Sequence, residues 1–301
     1  MGTSGWLKGA QLAIGAPKHA VIDMLMNSLG GFQPARSHDV VHASDATKPD
    51  FCPRHWALLD LLNLEPKGMY VSTALQITFD VGRATADLLA NKWAGNRVVG
   101  NWECTSCGGQ RTFTTKPGQG CTHGWQRCNW QYREVNFTHQ DSGMSGSIDL
   151  LLDLGAPKLF VIEVKIIAVD EFETLKMPLA EHRIRTNLYM KLIDESNSPY
   201  AQRIDTMQAR VLYISRGFGK KVPIVASKAQ VLPLKEYEVI RSDGGLSAIV
   251  GKAKQVKVFR ETGKMPSGIC FTALDPIAKK CSTCAQCFSG KYPADQPQLS
   301  K

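Results

Sequence analysis

No run of eighteen apolar residues occurs in the 301 positions, so the chain has no hydrophobic segment long enough to cross a bilayer as a helix. There is no GxxxxGK[ST] motif, which removes the usual phosphate-cradling loop of a nucleotide-driven motor. Internal repeats and long low-complexity linkers are absent too, so solenoids and tethered arrays are not expected. The opening MGTSGWLKGAQLAIG lacks the layout of a secretory leader, and Trp6 stands where a myristoylation signal needs Ser or Thr. An intracellular protein without a membrane partner is the expectation. Asn136-Phe137-Thr138 is then a chance match to a glycosylation sequon. Acidic residues are in short supply, 27 against 36 Lys and Arg. The resulting formal charge of +9 suits an acidic partner such as nucleic acid, although charge alone gives only non-specific attraction.

What the sequence does contain is organised around GSIDLLLDLGAPKLFVIEVK, residues 146–165. Two apolar runs, 148–154 and 159–167, flank the turn residues Gly155 and Pro157, the pattern of two buried strands joined by a short turn. Asp149 opens the first run, and Glu163-Val164-Lys165 lies within the second. Residues two apart share a strand face, so Glu163 and Lys165 project together. Charges on an apolar strand are costly unless they pair or bind something. Asp149 and Glu163 are hard oxygen ligands for Mg²⁺ or Mn²⁺, with the Val164 carbonyl as a third. Lys165 would orient an attacking water or stabilise charge developing on a phosphate. The alternative is a Glu–Lys pair at a strand end, with Asp149 as a turn residue.

Gly-Ser-Ile-Asp149 followed by Glu163-Val-Lys165 resembles the PD-(D/E)XK nucleases. The similarity is to their RecB-like branch, which includes the CRISPR-associated iron–sulphur exonucleases and the nuclease domain of AddB. The resemblance implies an α/β, restriction-endonuclease-like fold with a mixed central β-sheet flanked by helices. It also implies catalysis by Asp149, Glu163 and Lys165 with Mg²⁺ or Mn²⁺, and a DNA substrate in the form of single strands or duplex ends. The expected activity is exonucleolytic. A structure-specific endonuclease or resolvase, and a nucleic-acid-binding scaffold on a degenerate fold, are the alternatives. Many relatives carry a metal-site histidine after a helical glycine such as Gly82; here that position is Ala86, followed by Asp87, a further candidate oxygen ligand. His182-x2-Arg185-x3-Tyr189 resembles the family's Gln-x3-Tyr motif, which makes Arg185 and Tyr189 DNA-binding candidates on one helix face. Glu134 falls where relatives often carry a glutamate. Repair, adaptation to foreign DNA and phage replication or recombination all suit such a protein. The compact, motor-free form points to a phage, and hence to the cytoplasm of a bacterial or phage-infected cell.

The nine cysteines are an odd number grouped in Cys-x2-Cys units, which favours metal ligation over a disulfide framework. Cys104, Cys107, Cys121 and Cys128, with His123 as a rival fourth ligand, have the spacing of a structural zinc ribbon. Arg111, Lys116, Trp125, Arg127 and Trp130 would let that ribbon touch DNA. Cys281-x2-Cys284-x2-Cys287 with a distant fourth thiol suits iron–sulphur ligation. By resemblance, Cys52 joins these three around a [4Fe–4S] cluster that staples the two ends of the domain. Cys270 is the alternative ligand, and a local zinc site of Cys270, Cys281, Cys284 and Cys287 is the rival arrangement.

The expected organisation is an N-terminal helical segment (1–41), a nuclease domain (42–288) with the ribbon inserted at 100–130, and a tail (289–301). Helices are expected at 20–29, from Pro53 onward, at 73–94, and at 170–193 with an interruption or kink at Pro178. Strands are expected at 131–138, 209–215 and 222–226. Arg216, Lys220 and Lys221 in a hairpin loop, and Lys252, Lys254, Lys257 and Arg260 on a late helix, are weaker candidates for phosphate contacts.

Overall fold

The computed structural model describes residues 29, 31–34, 38–66, 68–118, 128–217 and 233–294. The expected helix at 20–29 apart from residue 29, the strand at 222–226 with the loop residues Lys220 and Lys221, and Cys121, His123, Trp125 and Arg127 lie outside them. Strands run in chain order as β1 Gly31–Gln33, β2 Val41–His42, β3 Met69–Val71, β4 Val98–Cys104, β5 Gln110–Thr115 and β6 Trp130–Arg133. They continue as β7 Val135–His139, β8 Met144–Ile148, β9 Leu150–Leu152, β10 Leu159–Ile167, β11 Ile204–Ser215 and β12 Leu234–Ile240. Two compact units divide the chain: residues 1–36 with 67–83, and residues 37–66 with 84–301. In the first, β1 and β3 form a small antiparallel pair. All the strands discussed below belong to the second.

Its main sheet has seven strands in the order β12-β11-β10-β9-β4-β5, with β6 sharing an edge of β4 with β9. β10 and β11 are parallel and the other pairs antiparallel, so the expected mixed sheet flanked by helices is what the chain adopts. A second sheet, β2-β8-β7, has three strands. Strict alternation in β7 and β8 buries Val135, Phe137, Met144 and Ile148. β10 is covered on both faces. Val161 and Ile167 join one core with Leu188, Leu192 and Ile193 of helix Ala180–Asp194. Ile162 and Val164 join another with Trp102, Trp130 and Tyr132. A strand buried on both sides is why residues 159–167 read as a nearly continuous apolar run.

Three expectations need correction. The run 148–154 is not one strand: the chain passes from β8 in the small sheet to β9 in the large one, and Asp149 is the residue between them. The segment 131–138 divides in the same way at Glu134, with β6 in the large sheet and β7 in the small one. The interruption expected at Pro178, by contrast, is present, between helices Val169–Thr174 and Ala180–Asp194. Pro178 carries no N–H, and its ring excludes helical backbone in the residue before it. Finally, the 100–130 stretch is no free-standing insertion. β4, β5 and β6 are built into the main sheet, and Trp102, Cys104 and Trp130 are buried in its core.

Gly100 allows this packing, because a Cβ there would stand 2.2 Å from Cε2 of Tyr132. That ring is braced edge-on against Trp102, with centroids 5.5 Å apart. Gly100→Ala should therefore destabilise the fold by about 1–3 kcal/mol, measured by urea unfolding. An unchanged midpoint would mean that the ring moves freely. Among the described residues, no helix is long and apolar enough to cross a membrane.

Candidate active site and cysteine clusters

Asp149 lies where the ladder between β9 and β10 ends at Leu150↔Ile162. Its Oδ2 accepts the Val164 N–H at 2.8 Å, in place of a strand partner for that amide. Glu163 and Lys165 project from β10 on the side of helix Ala180–Asp194, as the period-two argument requires. Glu163 is 1% exposed. Lys165 Nζ stands 2.5 Å from Glu163 Oε1 and 3.8 Å from Asp149 Oδ2, and donates to the Val164 carbonyl at 3.2 Å. Arg185 Nη1 approaches the same Glu163 oxygen at 3.4 Å. The other oxygen, Glu163 Oε2, is buried without a hydrogen-bond partner, and so is Arg185 Nε. Burial, and then the Asp149 carboxylate, push the Glu163 carboxyl up to about 7 against the pull of Lys165 and Arg185. The structure thus brings Asp149, Glu163, Val164, Lys165 and Arg185 to one place.

Tyr189, on the same helix, is buried. It is 6% exposed, and its ring lies where a Cβ on Gly146 would meet it at 3.0 Å, so it is packed under the β8 strand. Burial, with the Glu163 and Asp149 carboxylates, raises its hydroxyl well above the usual range and keeps it protonated. Glu134 is exposed at the other sheet crossover. The register Val135↔Ile148 extends by one step to place it opposite Asp149. Asp87 is exposed on its helix, and its carbonyl accepts from Asn91 at 2.9 Å. His182 was visible in the sequence only as part of a motif. Its Nδ1 pairs with the Tyr213 hydroxyl at 2.8 Å, and that oxygen also accepts the Leu179 N–H at 2.9 Å. Burial, then Lys165 and Arg185, lower the imidazole to about 4, so it is neutral near pH 7.

Two of the weaker phosphate candidates, Arg260 and Lys257, are committed elsewhere. Arg260 binds Asp60 at 2.8 Å and the carbonyls of His38 and Asp39. Lys257 donates to Gln140 O at 2.6 Å. Lys116 donates to Asn91 O at 2.9 Å, and Trp130 is buried.

Far apart in sequence, the helix that begins after Cys52 meets the C-terminal cysteine segment. Cys52 is the N-cap of helix Pro53–Leu61, and the next two side chains after Pro53 reach the other end of the chain. Arg54, 7% exposed, donates to Cys287 Sγ at 3.1 Å, to Pro266 O at 3.1 Å, to Cys287 O at 3.4 Å and to Tyr292 O. His55 Nδ1 stands 2.9 Å from Thr283 Oγ1 and 3.5 Å from Cys281 Sγ. Burial raises the Cys281 thiol, but contacts with His55 and Thr283 outweigh it and bring it to about 7. Burial raises Cys270, with Cys52, Asp275, Cys281 and Cys287 adding to the effect. Burial likewise raises Cys287, where Arg54 opposes and Cys52 and Cys281 reinforce. Cys52, Cys270, Cys281 and Cys287 therefore lie within one another's fields, whereas Cys284 Sγ turns to Ala273 O at 3.9 Å.

At the other cysteine group, Cys104 and Cys107 form a tight knuckle. Gly108 N donates to Cys104 O at 2.8 Å and Gly109 N to Cys107 Sγ at 3.4 Å. Burial raises the Cys104 thiol, but donors including the Ser106 and Cys107 amides outweigh it and lower it overall. Cys128 is in a disulfide. A four-thiolate zinc cage would need that bond reduced. Among the described residues, no three His, Cys, Asp or Glu side chains stand together as a ready-made metal site.

No family model matches the chain. No curated protein matches it. Similar solved structures include the crystal structure of SSO0001, 14% identical, with 79% of this chain and 86% of that one covered at a TM-score of 0.35. At that level neither fold nor function transfers.

Proposed function

We propose that this chain is a divalent-metal-dependent deoxyribonuclease of the RecB-like kind, built on a restriction-endonuclease-like fold and hydrolysing phosphodiester bonds at DNA ends or in single strands. The observation that carries the reading is Glu163, a fully buried carboxylate with one orphan oxygen beside a second carboxylate, Asp149. Such a group is costly as it stands. A hard cation held by Asp149, Glu163 and the Val164 carbonyl relieves it, so the donor set fits Mg²⁺ or Mn²⁺. When bound, that ion supplies Lewis acidity and a hydroxide-like nucleophile near neutral pH.

The remaining work falls to the chain. Arg185 has an unpaired Nε to offer a phosphate oxygen, and its guanidinium stays charged throughout. Lys165 carries its ammonium to the phosphate or the attacking water. Tyr189 supports the crossover from beneath. His182 stays neutral and adds no further charge to the Lys165 and Arg185 cations.

Cys52, Cys281, Cys284 and Cys287, with Cys270 as the alternative ligand, would hold a structural [4Fe–4S] cluster. Four thiolates leave no open position for hydrolysis. Zinc on Cys104, Cys107, Cys121 and Cys128 belongs to the reading only with Cys128 reduced.

The test uses anaerobically purified full-length protein with end-labelled linear DNA and closed circles in Mg²⁺ and Mn²⁺. Degradation confined to linear substrates supports the exonuclease, and nicking of closed circles transfers the reading to an endonuclease. Binding of DNA with every substrate left whole would overturn the enzyme in favour of a scaffold, a reading that Ala86 in the histidine position supports.

A further inference from the structure

Each of the three groups that would hold a divalent ion presents one oxygen to the same ammonium. Lys165 Nζ lies 2.5 Å from Glu163 Oε1, 3.2 Å from Val164 O and 3.8 Å from Asp149 Oδ2. An ammonium is a compact point charge with three donors; here it is within hydrogen-bond distance of Glu163 Oε1 and Val164 O and at ion-pair distance from Asp149 Oδ2. Its side chain is 19% exposed, so it is enclosed with its partners rather than resting over them. Arg185 reaches Glu163 Oε1 at 3.4 Å and has no contact of this kind with the other two oxygens. A metal ion binds such oxygens at roughly 2.0–2.6 Å. An ammonium beside one oxygen of each of these groups competes with the ion for that space and for their negative charge, while Glu163 Oε2 stays without a partner.

We propose that Lys165 is an internal stand-in for the metal: its ammonium holds the ligand set in the metal-free protein and must swing out for the ion to enter. The inference rests on the metal-site reading of Asp149 and Glu163. It gives Lys165 two positions. Inside, it neutralises a buried carboxylate and the neighbouring Asp149, which would otherwise repel each other. Displaced, it stands beside the ion with its donors free for water or phosphate, so loading the metal also arms the lysine. The metal affinity of the native chain is consequently held down by its own side chain.

Two measurements on the full chain at one fixed pH test this. The first is Mn²⁺ binding, read as loss of the free-ion electron paramagnetic resonance signal and counted as the part of binding that Asp149→Ala abolishes. Lys165→Met should bind Mn²⁺ at least about tenfold more tightly than wild type, because a unit positive charge has left the ligand set. Lys165→Arg, which keeps the charge, should show no such gain. Equal or weaker binding by Lys165→Met would overturn the inference and leave the metal site standing. No Asp149-dependent binding in any variant would overturn the metal reading and this inference together. The second measurement uses wild type alone and so does not depend on a variant folding. Acetylation of Lys165 by acetic anhydride, read by peptide mass spectrometry, should rise severalfold on adding Mn²⁺. Labelling that stays level or falls would show that the ammonium never leaves.

Discussion

Glu163→Gln should lower Mn²⁺-dependent DNA cleavage by about a thousandfold or more, equivalent to roughly 4 kcal/mol of transition-state stabilisation. An amide keeps the size of the side chain but gives up the anionic oxygens that a hard cation prefers. The same exchange should change how stability depends on pH. Burial and Asp149 raise the Glu163 carboxyl from 4.5 to about 7, so over that interval the native state holds a proton that the unfolded chain has released. The group's contribution to stability is fully present below about 4.5 and is lost as pH rises through about 7. Metal-free wild type should therefore lose stability across that window relative to Glu163→Gln, which has nothing there to titrate. Urea unfolding at a series of pH values, with chelator present, measures the difference. Parallel pH profiles would mean that Lys165 and Arg185 keep the carboxylate ionised throughout. In the cleavage assay, protons and metal compete for the same oxygens, so the acid limb should move to lower pH as Mn²⁺ is raised.

The second large effect is expected from Arg54. Its guanidinium is buried, and its partners are three backbone carbonyls and the Cys287 sulphur, spread over Pro266, Cys287 and Tyr292. Arg54→Met would leave those acceptors without their donor, each at a cost of about 1–3 kcal/mol where it stays buried, so a total loss of about 3 kcal/mol or more is expected. Lysine should recover only part of it, because one ammonium lacks the planar fork that reaches all the acceptors. Thermal unfolding measures the loss. Limited proteolysis should show earlier cleavage between residues 266 and 292. Unchanged melting with an unchanged digestion pattern would mean that the C-terminal segment is held by the apolar contacts of Leu58, Phe259 and Met265 instead.

The residues of the candidate site were legible because they obey a local period. Glu163 and Lys165 stand out as charges inside an apolar strand, and both lie on the face that alternation assigns them. Arg185 was legible through helical spacing from Tyr189, although the same spacing said nothing about which of the two is buried. The sheet changes at Glu134 and Asp149 were not legible, since an apolar run crossing between two sheets looks like one continuous strand. The grouping of Cys52, Arg54 and His55 with Cys270, Cys281 and Cys287 depends on contacts more than two hundred residues apart. Cys-x2-Cys spacing reports only on neighbours, so the contacts of Arg54 and His55 with Cys287 and Cys281 were not legible in it.

The two crossovers also set the tolerances of the site. Asp149 is placed by the small sheet on one side and the large sheet on the other, while Glu163 belongs wholly to the large one. The gap between the two carboxylates is thus a joint dimension of two separately built parts, like the clearance across a seam. A change in the packing of Val41, Phe137 or Met144, all remote in sequence from β10, would alter that clearance without touching a charged group. Selection for cation size would then be exercised partly by the hydrophobic core of the smaller sheet.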